Sequence, residues 1–172
     1  LGLIKSGVNT LDITSGGSSY TGPTQILAGT LNASNLADGG LNSDIGASGA
    51  GGANLIINGG TLQYSGASTS INRGYTGGAA GATIDTANNL TLGGRILSTG
   101  TGSFTKNGAG TLAFTNTTGT NTLIGGNTGN GLGFVTNNGL LQLGGTSGSP
   151  LAQTNQVNGE FIVGTINSGS SP

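Results

Sequence analysis

The chain has 172 residues, with 38 Gly, no Cys and no His, a charged fraction of only 5% and a net charge of −1. A soluble domain ordinarily carries about 25% charged residues, so this surface must be built from Ser, Thr and Asn instead of ion pairs. The missing residue types exclude disulfides, thiolate and imidazole metal sites, and Ser-His-Asp or Cys-His catalysis.

Low complexity of this kind raises the question of disorder, but disordered tracts combine high net charge with a lack of regularly placed aliphatic residues. This chain has the opposite pattern. Its length suits one domain. With three Tyr, four Phe, no Trp and no Met, it lacks the bulky side chains of a thick core. A thin core of stacked aliphatic residues needs fewer of them.

In chain order, one short unit keeps returning: a Gly or Asn turn, a Thr-Leu or equivalent pair, then an alternating segment. It appears as Thr10-Leu11-Asp12-Ile13, Thr30-Leu31-Asn32-Ala33, Thr61-Leu62-Gln63-Tyr64 and Thr83-Ile84-Asp85-Thr86. Thr91-Leu92, Thr111-Leu112-Ala113-Phe114, Leu140-Leu141-Gln142-Leu143 and Phe161-Ile162-Val163 continue the series. Leu11 and Ile13 point one way while Asp12 and Thr14 point the other. A period of two puts one face inside and one in water. Gly interrupts every candidate helix. Turns such as Asn58-Gly59-Gly60, Asn138-Gly139 and Asn158-Gly159 suit tight corners that require positive φ.

Each apolar face is too small to bury itself, so stacking coil on coil is the way to a core. The expected fold is all-β, a parallel β-helix of about seven or eight coils, roughly 35 Å long at ~4.8 Å per coil. A right-handed sense follows the general preference of parallel crossovers. Gly39 to Asn54 and Asn116 to Gly133 are expected to project as loops. The long repeat in which Lys5-Ser6-Gly7-Val8-Asn9-Thr10-Leu11 returns as Lys106-Asn107-Gly108-Ala109-Gly110-Thr111-Leu112 suggests two continuous modules, 1–102 and 103–172. Leu1 begins inside a repeat unit, which suggests a piece of something longer.

Lys5-x-Gly7-x-x-Thr10-Leu11-x-Ile13 followed by Ser19-Tyr20-Thr21-Gly22-x-Thr24-x-Ile26-x-Ala28-Gly29-Thr30-Leu31 resembles the autotransporter-associated β-strand repeat, also called the passenger-associated transport repeat. Asn54-Leu55-Ile56-Ile57-Asn58-Gly59-Gly60-Thr61-Leu62-Gln63-Tyr64 and Asn72-Arg73-Gly74-Tyr75 also look like the large surface proteins that carry it. The likeness covers residues 1–115 well and the rest in degraded form. Asn9 departs from the Gly usual there, and Asn121-Thr122-Leu123-Ile124-Gly125-Gly126 replaces the expected Tyr-Thr-Gly. The resemblance implies a right-handed β-helical passenger, extracellular or at a bacterial cell surface and outer-membrane associated through other parts of the protein. It also implies that the repeats aid export.

Candidate chemistry is sparse. Asp12, Asp38, Asp44, Asp85 and Glu160 are the acids. Asp12 and Asp85 fall on outward positions of different coils, whereas Asp38 and Asp44 lie in one loop, where they either share a cation or are solvated. Tyr20, Tyr64 and Tyr75 either stack on sugars or cover coil edges, and Arg73 and Arg95 are expected to bond loop carbonyls or cap a coil. Gly129-x-Gly131-x-Gly133 lacks the Lys of a phosphate loop and reads as flexible chain. Asn32-Ala33-Ser34, Asn89-Leu90-Thr91 and Asn116-Thr117-Thr118 match the glycosylation triplet, a frequent match in such a composition.

No residue is assigned a catalytic, cofactor-binding or metal role, and no cofactor is expected. Four scattered basic residues cannot neutralise a nucleic-acid backbone, and no apolar run reaches the ~18 residues of a membrane span. The leading expectation is a non-enzymatic stalk or spacer of a secreted adhesin or filament, with flanking repeats of the same polypeptide as partners and end-to-end or lateral self-association. A glycan- or surface-binding module is the first alternative. A β-helical polysaccharide-active enzyme is the second, since that chemistry needs clustered carboxylates.

Overall fold

The structure, a computed structural model, describes residues 1–116, 134–143 and 161–163. The chain winds in turns. β1 (Leu3–Lys5) and β2 (Thr10–Ile13) open the first, and β3 (Thr24–Ile26) and β4 (Thr30–Ala33) the second. The third holds a 3-10 turn at Gly52–Asn54, then β5 (Leu55–Ile57), β6 (Thr61–Tyr64) and β7 (Thr69–Ile71). The fourth is β8 (Thr76–Gly77), β9 (Ala82–Thr86) and β10 (Leu90–Leu92), and the fifth β11 (Leu97–Ser98), β12 (Phe104–Asn107) and β13 (Thr111–Phe114). Beyond them lie β14 (Phe134–Thr136), β15 (Leu140–Leu143) and β16 (Phe161–Val163).

Like strands of successive turns pair in parallel and form three faces. The first is β1-β3-β5-β8-β11, the second β2-β4-β6-β9-β12-β14-β16, and the third β7-β10-β13-β15. This is a β-solenoid of about five turns, and its second face carries seven strands, against the seven or eight coils expected. Thr83–Thr86 and Thr91–Leu92, two of the repeating units, belong to two faces of one turn.

The period-two reading holds at the core. On the second face Leu11, Leu31, Leu62 and Ile84 stand in register, and the last three are fully buried. On the third face Ile71, Leu92 and Phe114 align in the same way. Tyr75, Phe104 and Phe114 fill the centre as a ring cluster with centroids 5.7–5.9 Å apart, spacings at which aromatic edges and faces attract. Leu62 sits mid-ladder with no exposed surface. Leu62→Ala should therefore cost about 2–5 kcal/mol, the range for emptying a close-packed site, read from urea denaturation.

Corner chemistry differs from the expectation in one respect. Among the described residues every positive φ belongs to Gly, as at Gly59 with φ 97°. Asn works instead through its side chain. Asn58 Oδ1 accepts from the Ala80 amide of the next turn at 2.8 Å, and Asn138 Oδ1 accepts from Gly139 at 2.8 Å. Each satisfies a corner donor that no strand partner reaches.

The loop expected to project, Gly39 to Asn54, instead folds onto the stack. Ser43, Asp44, Ile45, Gly46 and Ser48 are buried within it, while Gly40, Leu41 and Asn42 form an exposed tip. The second expected loop falls on 117–133, outside the described residues.

Candidate functional site

The loop is fixed by two ionisable side chains acting inside. Asp44 is fully buried and accepts three backbone N–H bonds, from Gly16 at 2.5 Å, Ser34 at 2.9 Å and Asn35 at 2.7 Å. One carboxylate thus joins the first turn, the second turn and the loop. Charge-assisted bonds to backbone amides are what make such burial tolerable. Asp44 is neither a solvated acid nor a partner of Asp38. Asp38 is exposed, and its Oδ1 accepts from the Asn72 amide at 2.7 Å, while Asn72 Oδ1 accepts from Gly39 at 2.8 Å.

Arg73 completes the lock from the third turn. With 2% exposure, it donates to the carbonyls of Ala37 (2.8 Å), Asp38 (3.4 Å), Leu41 (3.3 Å) and Gly46 (2.8 Å), and to Ser48 Oγ (3.1 Å). The planar guanidinium fork can meet so many acceptors at once. Burial pushes its pKa down from the ordinary arginine value. The expectation that Arg73 binds loop carbonyls is met; Arg95 is exposed.

The three tyrosines do not form a sugar platform. Tyr64 and Tyr75 are 3% and 2% exposed, with the Tyr64 hydroxyl donating to Ala67 O at 2.5 Å. Tyr20 is half-buried and shares a 2.8 Å hydroxyl bond with Thr24 Oγ1. Burial raises the pKa of Tyr75 well above the usual phenol value. Rings that bind sugars must offer a free face, and Tyr64 and Tyr75 are committed to the core.

What the fold does present outward is a two-rank array on the second face. Thr10, Thr30, Thr61, Thr83 and Thr105 stand in one register. Two residues along each strand, Asp12, Asn32, Gln63, Asp85 and Asn107 form a second rank in the same register. Within it Asn32 donates to Asp12 at 2.8 Å, Gln63 to Asp85 at 3.3 Å, and Asn137 to Asn107 at 2.8 Å. Asp12 and Asp85 are three strand steps apart in the ladder, about 14 Å at ~4.8 Å per step, too far to share a proton or a bond-cleaving step. Beside this array a shallow groove of about 370 Å³ is lined by Gly59, Gly60, Ala80, Ala82, Thr83 and Thr105. On four of these five strands Thr precedes the inward aliphatic and a polar residue follows it, but the same Thr-Leu pair at Thr91-Leu92 and Thr111-Leu112 lies on the third face.

Of the remaining sequence candidates, Asn32 sits in the ladder, Asn116 is buried, and Asn89 accepts from the Thr111 amide at 3.1 Å. Glu160 and the glycines 129, 131 and 133 lie outside the described residues. Over 125 residues the chain is 44% identical to the Adhesin BmaC autotransporter of Brucella suis biovar 1 (strain 1330). It is similar to a segment of an adhesin autotransporter. The match takes in 72% of this chain and 4% of that protein. No family model matches the chain, and no solved structure matches it.

Proposed function

We propose that this chain is a structural spacer in the passenger of an autotransporter-like surface adhesin, extending the passenger and aiding its export. The carrying observation is that Arg73 and the acids described above are spent on the stack itself. Asp44 and Arg73 lock one loop, and the outward acids pair with amides of neighbouring coils. The likeness to a small part of a named adhesin supports the setting at a cell surface. Thr, Asn and Gln on the outer face keep the rod wet without net charge, so long stretches of it neither repel nor collapse. Flanking repeats of the same polypeptide are its proposed partners: Val8 and Ile4 in the first turn are 84% and 61% exposed, and β1 and β2 each have one unpaired edge. Uncovered parallel edges template further strand pairing.

The test is substitution within the protein that carries the segment. Deleting residues 1–116 in frame should reduce surface adhesion, and an unrelated charge-poor β-solenoid of equal turn number should restore it. If the foreign stack is displayed at the surface but adhesion stays lost, the segment is a binding module and not a spacer.

A further inference from the structure

The residue least expected inside a β-solenoid is a lysine, and there are two. Lys5 stands on the first face in register with Ile26 and, through it, Ile57. Lys106 stands on the second face in register with Ile84. They are 7% and 0% exposed, so both occupy rungs of the internal aliphatic ladder. Burial lowers the pKa of Lys106 below the ordinary lysine value.

Their surroundings are the same at two different corners. Lys5 Nζ donates to Gly7 O in its own turn and to Ala28 O in the next turn at 3.0 Å. Lys106 Nζ donates to Asn107 O at 2.5 Å and Gly108 O at 2.7 Å in its own turn, and to Asn138 O in the next at 3.2 Å. In both cases the neighbour's carbonyl precedes a glycine of positive φ, Gly29 at 64° and Gly139 at 73°. A Cβ on Gly29 would lie 2.7 Å from Lys5 Nζ and 2.6 Å from Asn9 O. The neighbour must therefore bring a residue without a side chain. The first motif turns the chain from the first face to the second, the second from the second face to the third, so the device belongs to the motif and not to one corner of the prism.

We infer that the lysine of the Lys-x-Gly turn is a one-way latch, fastening its own coil to the C-terminal neighbour through that neighbour's corner carbonyl. Every Lys106 acceptor lies in its own turn or the next; Asp85 in the preceding turn attracts it without a hydrogen bond. A buried ammonium without its acceptors is strongly unfavourable. A coil carrying this lysine is thus completed only when the coil after it is in place, and the stack gains its stability with a direction. The inference stands independently of the spacer reading, since it concerns how coils join.

The test is site-resolved hydrogen exchange on the 172-residue chain with Lys106→Met and Lys5→Met, which keep the aliphatic stem. The Asn137 and Leu140 amides bond back to Lys106 O and Gly110 O, while the Gly110 amide bonds to Thr86 O of the preceding turn. In Lys106→Met, exchange at Asn137 and Leu140 should rise about tenfold or more, with Gly110 within about twofold, the scale of losing one charged hydrogen bond locally. In Lys5→Met, the Leu27, Ala28 and Thr30 amides, which bond to the first turn, should speed up similarly, whereas Asn58 and Thr61, which bond to the second turn, should not. Equal acceleration on both sides of the altered coil, no acceleration, or unfolding of the whole chain by the Lys5 change would each overturn the latch.

Discussion

Asp44→Ala is expected to destabilise the first three turns by about 2–4 kcal/mol, because it strands the Gly16, Ser34 and Asn35 amides without an acceptor in a part-buried site, each fully buried unpaired donor costing about 1–3 kcal/mol and a hydrated one less. In a solenoid each turn contacts only its neighbours, so the loss should stay local. Hydrogen exchange should accelerate over residues 14–50 and remain unchanged at Leu112–Phe114. Asp44→Asn restores one acceptor oxygen but turns an NH2 group toward N–H donors, so it should recover no more than about half of the loss. Wild-type protection in Asp44→Ala would mean that the loop is held by packing of Leu36 and Ile45 alone.

The second large effect is expected for Arg73→Met. The stem still packs, but the carbonyls of Ala37, Asp38, Leu41 and Gly46 lose their shared donor. A cost of about 2–4 kcal/mol follows from removing several bonds to a charged group, offset by water reaching the freed carbonyls. The visible consequence is at the tip: Gly40, Leu41 and Asn42 should become a protease-sensitive site while the strands stay resistant. Arg73→Lys should resemble Arg73→Met, since a single ammonium cannot span acceptors spread over the loop.

The legibility of this molecule in its sequence follows the range of its interactions. Strand positions and core rungs were readable because alternation is local: Leu31, Leu62 and Ile84 declare themselves within four residues. The face each unit joins was not, because a corner looks the same whichever two faces it connects. The recurring Lys-x-Gly motif serves different corners at Lys5 and Lys106, which is why the long repeat does not translate into turns. Asp44 had no readable role, since its partners Gly16 and Ser34 belong to other parts of the chain and nothing in the local Ser-Asp-Ile marks the acid as buried. Arg73 was readable in part: a rare cation among carbonyl-rich loops has few other uses. The lysines are legible too. The alternation that puts Leu3 inside puts Lys5 inside as well, and only the habit of placing lysines in water hides it. The tyrosines failed as a platform for the opposite reason, because Tyr64 sits on the inward register with Ala33 and its position decides its role.

The central claim is that consecutive units stack as parallel rungs of one rod, each second-face strand one step beyond the last. Spin labels at Thr10 and Thr105, outward residues four strand steps apart in one rank, test it directly by pulsed dipolar spectroscopy. The stack predicts a single narrow distribution whose backbone separation is about 19 Å, four spacings of ~4.8 Å. A broad distribution, or one centred beyond about 35 Å once label length is allowed for, would contradict a stack at that spacing.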